Sequence, residues 1–228
     1  MPSPALFIAF LGGLMPALVW LFFWLFEDRC EPEPKRYILL SFVCGIIAVP
    51  FILPVEQHAA AFFSGNVLLL IWAASEELFK FAAAYFGGLR WRAFDEPLDA
   101  VIYMVTAALG FSAAENALFM LSPLLQGDIL RGVVMIDLRF IGASLLHTLA
   151  SATIGISIAL AWSKGARVRR EAALGGVILA VLLHWCFNIF ILGQGPAATF
   201  WVFLAIWIGV VVALLFTERV KLPQRDYC

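Results

Sequence analysis

Charge is scarce in this chain. Only 14% of its 228 residues are Asp, Glu, Lys or Arg, and the formal net charge is −1. That balance argues against nucleic-acid binding, which draws its affinity from a basic surface. Long polar stretches are also missing, so no sizeable soluble domain fits between the hydrophobic runs. The four cysteines, Cys30, Cys44, Cys186 and Cys228, show neither paired nor metal-type spacing. Two of them fall inside hydrophobic runs, where packing is the simpler role. The opening Met1-Pro2-Ser3-Pro4 has no basic segment of the kind that begins a cleaved signal peptide. The first hydrophobic run is therefore expected to remain as an anchor. The chain has no evident internal repeat and no His-Glu-x-x-His sequence.

What the chain does have is apolar surface. It is 63% hydrophobic, where a soluble domain averages about 45–50%. A membrane-spanning helix needs about 20 mostly apolar residues. Seven segments qualify: 5–26, 37–54, 66–86, 99–121, 138–162, 171–192 and 197–216. The expected fold is all-α, a single polytopic bundle of about seven transmembrane helices over residues 1–228. The second segment carries Pro50 and Pro54 and is expected to kink or break there. The charged, proline-rich stretch from Glu27 to Arg36 reads as an extended surface turn. Residues 122–137 are long enough for a short interfacial helix. Basic residues are distributed unevenly among the loops. Twelve of the fifteen Lys and Arg fall on the side that receives the first loop and the C-terminus. The positive-inside rule makes that side cytoplasmic, with the N-terminus outside and the chain in the inner or plasma membrane.

The most telling residues are charges where charge is costly. Glu76, Glu77 and Lys80 lie inside the third span, and Glu115, His147, His184 and Asn188 lie inside later ones. An ionisable group exposed to lipid costs at least about 2.5–3.5 kcal/mol. By the helical rise, all but Lys80 fall roughly 6–16 Å from the outer membrane edge, in one layer. Glu76 and Lys80 are four apart and share a helix face, and Glu77 is three from the same lysine. One cation thus serves two acids, which leaves one carboxylate free for acid–base work. His184 and Asn188 share a face in the same way. An isolated intramembrane His or Asn is more often an interhelical hydrogen bond, and His147 alone would be read so. The twin glutamates reverse that weighting, because packing needs no second acid. His58 falls near an outer loop and reads as solvated. Gly155, Gly175 and Gly176 read as points of close helix packing.

The order and spacing of these residues resemble the PrsW family of intramembrane proteases. Glu76-Glu77-Leu78-Phe79-Lys80 is similar to that family's Glu-Glu-x-x-Lys, and Phe111 to Asn116 to its Phe-x-x-x-Glu-Asn. His147 matches a histidine of the next span. His184 to Asn188 resembles the late His-x-x-x-Asn/Asp element. CAAX proteases, more distant relatives, carry Glu-Glu-x-x-x-Arg and Phe-x-x-x-His. Here Lys80 comes one position earlier and Glu115 replaces that histidine, which argues against a prenylated substrate.

The resemblance implies a protease acting on membrane proteins in the bilayer, single-span anti-sigma factors among them. Glu76 or Glu77 would activate water, Glu76 being favoured. His184 and Asn188 would support that water or the oxyanion, and His147 and Glu115 would complete the polar shell. A metal-free mechanism is slightly preferred. Zinc is the candidate cofactor otherwise, with His147, His184 and Glu77 as its ligands. A proton-coupled transporter and a non-catalytic membrane scaffold are the alternatives, since both also bury charged groups.

Overall fold

The computed structural model describes residues 4–29, 31–193 and 196–221. Cys30, Cys228 and Met1 to Ser3 lie outside the described residues. Among the described residues eight α-helices follow one another: α1 (Pro4–Glu27), α2 (Lys35–Phe62), α3 (Gly65–Ala84), α4 (Pro97–Leu125), α5 (Ile129–Leu138), α6 (Ser144–Leu160), α7 (Gly165–Gly193) and α8 (Pro196–Val220). Two five-residue π-helical turns interrupt the pattern. Tyr85–Leu89 ends α3, and Arg139–Ala143 joins α5 to α6. No strand occurs among the described residues.

Five helices, α1, α2, α4, α7 and α8, are long and apolar enough to cross a membrane. The other two predicted spans map to α3 and α6. Both depart from the simple pattern because they carry the site: α3 holds three charges, and α6 has 17 residues behind a π turn. The predicted connector does contain a short helix, α5, which runs through that turn into α6.

Helix α4 is the axis of the bundle. Within its apolar window 94% of residues are buried, against 17–33% for the other four long helices. It is apolar nearly all round, as a helix enclosed by others must be. Its neighbours reach its backbone through glycine. A methyl group on Gly13 of α1, Gly45 of α2 or Gly155 of α6 would strike the α4 backbone at Ala113, Ala107 or Val101. Gly110 of α4 meets Phe42 in the same way. In a bilayer, such close approach is a main source of helix association. Gly176 also packs closely, against Ile154 and Ser157, whereas Gly175 faces open space and has no packing role.

Two further expectations need correcting. Helix α2 runs unbroken through Pro50 and Pro54 to Phe62. Prolines are tolerated within membrane helices when neighbouring elements compensate for the lost backbone bond. The stretch after α1 is not wholly a surface turn, because Asp28 and Glu33 are buried. Tyr103 of α4 donates its hydroxyl to Glu33, and the Glu33 N–H donates to Asp28 Oδ2 at 3.2 Å. Beside them Glu96 and Asp99 form a capping box at the start of α4, with Pro97 in the first turn. None of these four acids forms an ion pair among the described residues. Of the cysteines, Cys44 is half-buried and Cys186 is exposed, so packing describes only the first. His58 is exposed, as expected, but on α2 with its ring against Phe62.

This acidic seam makes the first loop sensitive to pH. Burial, reinforced by the neighbouring carboxylates, raises Asp28 from 3.8 to about 7 and Glu96 from 4.5 to about 8. Each proton is bound more tightly in the folded state, so its stabilising effect is full below about pH 4 and fades as pH rises through 7–8. Amide exchange at Glu33, whose N–H donates to Asp28, should accelerate between pH 6 and pH 9, beyond the intrinsic rate change. Asp28→Asn should remove much of that dependence. Unchanged protection across the range in the native protein would contradict the argument.

Candidate active site

The polar residues of four helices meet beside α4. Glu76, Glu77 and Lys80 come from α3, Glu115 and Asn116 from α4, His147 from α6 and His184 from α7. The imidazoles of His147 and His184 stand edge to face with centroids 5.2 Å apart. Glu77 and Lys80 are fully enclosed, and Glu76 and both histidines are nearly so.

Lys80 decides how the twin acids divide. Its Nζ lies 2.5 Å from Glu77 Oε1 but 3.9 Å from Glu76 Oε2. Glu77 Oε1 also meets His184 Nδ1 at 2.8 Å. Glu76 makes no hydrogen bond to any described residue, and its Oε2 is enclosed with no partner. Glu115 Oε2 meets His147 Nε2 at 2.8 Å and the Arg139 guanidinium at 2.6 Å.

The bonds to carboxylates settle the tautomers. A carboxylate can only accept here, so His184 carries its proton on Nδ1 and His147 on Nε2. The remaining nitrogens turn toward Glu76 Oε2. His184 Nε2 is 3.8 Å from it and His147 Nδ1 is 3.9 Å. Those separations are too long for hydrogen bonds. They suit three ligands around a shared centre, because donors on one tetrahedral zinc lie about 3.3–3.6 Å apart. Glu76, His147 and His184 are the one such group among the described residues, with ligand atoms within 4.8 Å of one another. Two imidazoles and one carboxylate, with an outer carboxylate behind each imidazole, are a group that could hold a metal ion. The one competitor is Lys80, whose Nζ lies 2.9 Å from His147 Nδ1. Its shorter contact with Glu77 leaves it a partner if that lone pair is taken.

The expected third candidate was Glu77, whereas the donor atoms that converge with the two imidazoles are those of Glu76. The reason is that Lys80 and His184 already engage Glu77. Asn188 lies half-buried one turn beyond His184 and forms no hydrogen bond among the described residues. Sequence reasoning missed Arg139, Ser112 and Ser144. Arg139 had counted only toward loop charge. Its position inside the predicted span 138–162 was the available signal, since a buried arginine needs a carboxylate.

Fold and site together define a helical membrane protein with a carboxylate–histidine centre suited to hydrolysis. The chain belongs to the PrsW family: the model described as "PrsW family intramembrane metalloprotease" matches residues 33–216. Protease PrsW of Geobacillus kaustophilus is 26% identical over 189 residues, covering 80% of this chain and 79% of that one. Protease PrsW of Clostridioides difficile is 27% identical over 195 residues with the same coverage, and that of Bacillus subtilis is 22% identical over 183. No solved structure matches the chain. The protein is thus a membrane protease, which sets aside the transporter and scaffold alternatives.

The ligand set makes a prediction of its own. Protein purified in detergent and loaded with zinc should bind one equivalent, measured by elemental analysis. Alanine at Glu76, His147 or His184 should abolish stoichiometric binding. Glu77→Gln and Glu115→Gln should weaken it about 10–100-fold, as losses behind a ligand do. Full binding by all three alanine variants would rule out the group as a metal site.

Proposed function

We propose that the protein is an intramembrane endopeptidase that hydrolyses peptide bonds of other membrane proteins, with single-span anti-sigma factors as its substrate class. The observation that carries this reading is Glu76. It is a buried carboxylate without a hydrogen bond, 3.8 Å from His184 Nε2 and 3.9 Å from His147 Nδ1 inside an apolar bundle.

Peptide hydrolysis needs a nucleophile, a proton acceptor and a partner for the oxyanion. Water is the nucleophile. Glu76 Oε1, the oxygen that is not enclosed, accepts its proton and returns it to the leaving nitrogen. Asn188 offers an uncommitted amide on the same face as His184, suited to the oxyanion. Glu77 and Glu115 hold the two imidazoles in the required tautomers, and Lys80 balances the charge of Glu77. Glu76, His147 and His184 would hold zinc, which supplies Lewis acidity toward the scissile carbonyl. With Glu76 in the ligand group, the metal-dependent reading is better supported than the metal-free one.

A detergent-solubilised assay on a single-span substrate tests the proposal. Glu76→Gln should lower kcat at least about 1000-fold, comparable to losing a general base, while the melting temperature stays near wild type. Glu77→Gln should also lower activity, but with a loss of stability, because it strands Lys80 in the interior. Unaltered cleavage by Glu76→Gln would end this mechanism.

The orientation is part of the same proposal. Glu115 lies 10 residues from the C-terminal end of α4 and 18 from its start, about 15 Å and 27 Å along the axis. The site is therefore nearer the face opposite the basic loops. With the N-terminus outside, water reaches it from outside. Cleavage is expected at or just beyond the outer end of the substrate span, where unwinding breaks fewest backbone bonds. Reporters inserted at Gly127 and Ser163 should read outside and inside, and mass spectrometry should place the cut on the Gly127 side. A cut at the opposite end of the substrate span would refute this arrangement.

A further inference from the structure

The π turn Arg139–Ala143 sends one side chain into the site region. Arg139 is the first residue of that turn, and its side chain is only 12% exposed. Its Nη2 donates to Glu115 Oε2 at 2.6 Å, and its Nε donates to Asn116 Oδ1 at 2.5 Å. The guanidinium also lies 4.1 Å over the Phe119 ring. One arginine therefore engages three residues on two adjacent turns of α4.

The partners of Arg139 are themselves held. Asn116 Nδ2 donates to Ser144 Oγ at 3.0 Å and Ser112 Oγ at 3.3 Å. With its amide nitrogen committed, Asn116 must turn its carbonyl toward Arg139. Glu115 Oε2 then accepts from both Arg139 and His147 Nε2. The route runs from two serines through Asn116, Arg139 and Glu115 to the ring of His147.

The π turn sets the register for this route. Arg139 and His147 are eight positions apart, which on a regular α-helix leaves them about 80° apart. A π turn accommodates one extra residue, equivalent to removing about 100°. The two residues then stand as if seven apart, on one face and two turns from each other. Without the bulge, Arg139 and His147 could not both lean on the same carboxylate of α4.

We infer that Arg139 is a positioning residue for the protease site, acting through Glu115 to hold His147 with its proton on Nε2 and its Nδ1 toward Glu76. Asn116 orients Arg139 in turn. The inference rests on the reading of Glu76, His147 and His184 as the reactive centre. Charge explains why a cation is needed here: Lys80 is committed to Glu77 and to His147 Nδ1, and Arg139 is the cation that pairs with Glu115 among the described residues. Shape explains why it is arginine. Only a planar fork reaches a carboxylate and an amide carbonyl together while stacking on Phe119.

The test uses the full-length protein in detergent with a single-span substrate. Arg139→Ala should lower kcat about 10–100-fold, the usual cost of losing an orienting partner, with KM within about twofold. Arg139→Lys should recover only part of the loss, because it cannot make both bonds. Millimolar guanidinium should restore activity to Arg139→Ala and leave wild type unchanged. A second readout needs no substrate. In protein labelled with 15N-histidine, the His147 signals should report an Nε2–H tautomer in wild type. Arg139→Ala should give a mixture that guanidinium reverses. Wild-type tautomer and kcat in Arg139→Ala would overturn the inference, as would parallel loss of activity and melting temperature without guanidinium rescue. A tautomer shift in a chain that cleaves nothing would uphold the positioning and instead refute the protease reading.

Discussion

The candidate site gathers three carboxylates, Glu76, Glu77 and Glu115, and two fixed cations. Lys80 satisfies Glu77 and Arg139 satisfies Glu115. Glu76 is left without a hydrogen bond, with Lys80 no nearer than 3.9 Å. In a low-dielectric bundle such an imbalance is costly, so it must be met by a proton, an ion or a reacting molecule. Everything else in the site follows from that surplus. Glu77 and Glu115 are occupied from both sides, which lets them fix the histidines. The histidines then turn their other nitrogens toward Glu76, the carboxylate of the site that makes no hydrogen bond among the described residues.

The fold serves this arrangement by bringing four helices to one level. Helix α4 can sit at the centre because α1, α2 and α6 approach its backbone over glycine. That close approach puts Glu115 of α4 within reach of His147 of α6, and leaves α3 and α7 to close the other side. The two helices that depart from an ordinary membrane span, α3 and α6, depart for the same reason. One carries the charges, and the other carries the π turn that aims Arg139.

The seam at the start of α4 shows a different use of buried acid. Asp28, Glu33, Glu96 and Asp99 have no cation and instead share backbone N–H groups and a tyrosine hydroxyl. The first loop is therefore tied to the axial helix where ionisation would bury like charges side by side. The reactive centre lies further along α4, so this seam bears on the stability of the loop rather than on the chemistry.

Much of this was legible from the chain alone. Hydrophobic runs of sufficient length define the helices, because a backbone in lipid must satisfy its own hydrogen bonds. Charges within such runs identify Glu76, Glu77, Lys80, Glu115, His147 and His184, because lipid would not tolerate them without a shared polar interior. Helical spacing tells that Lys80 can reach either glutamate, but not which it takes. That choice depends on His184, 107 positions away, whose Nδ1 meets Glu77. Arg139 looked like a loop charge because a π turn leaves no pattern in hydrophobic periodicity. Asp28 and Glu33 looked like surface acids because their burial depends on Tyr103, seventy positions from Glu33. Sequence by itself determined which residues must leave the lipid, since that is a matter of each residue's own solvation. Only the tertiary structure decided which of them pair and which is left unpaired, since pairing depends on side chains that distant helices bring within 3 Å.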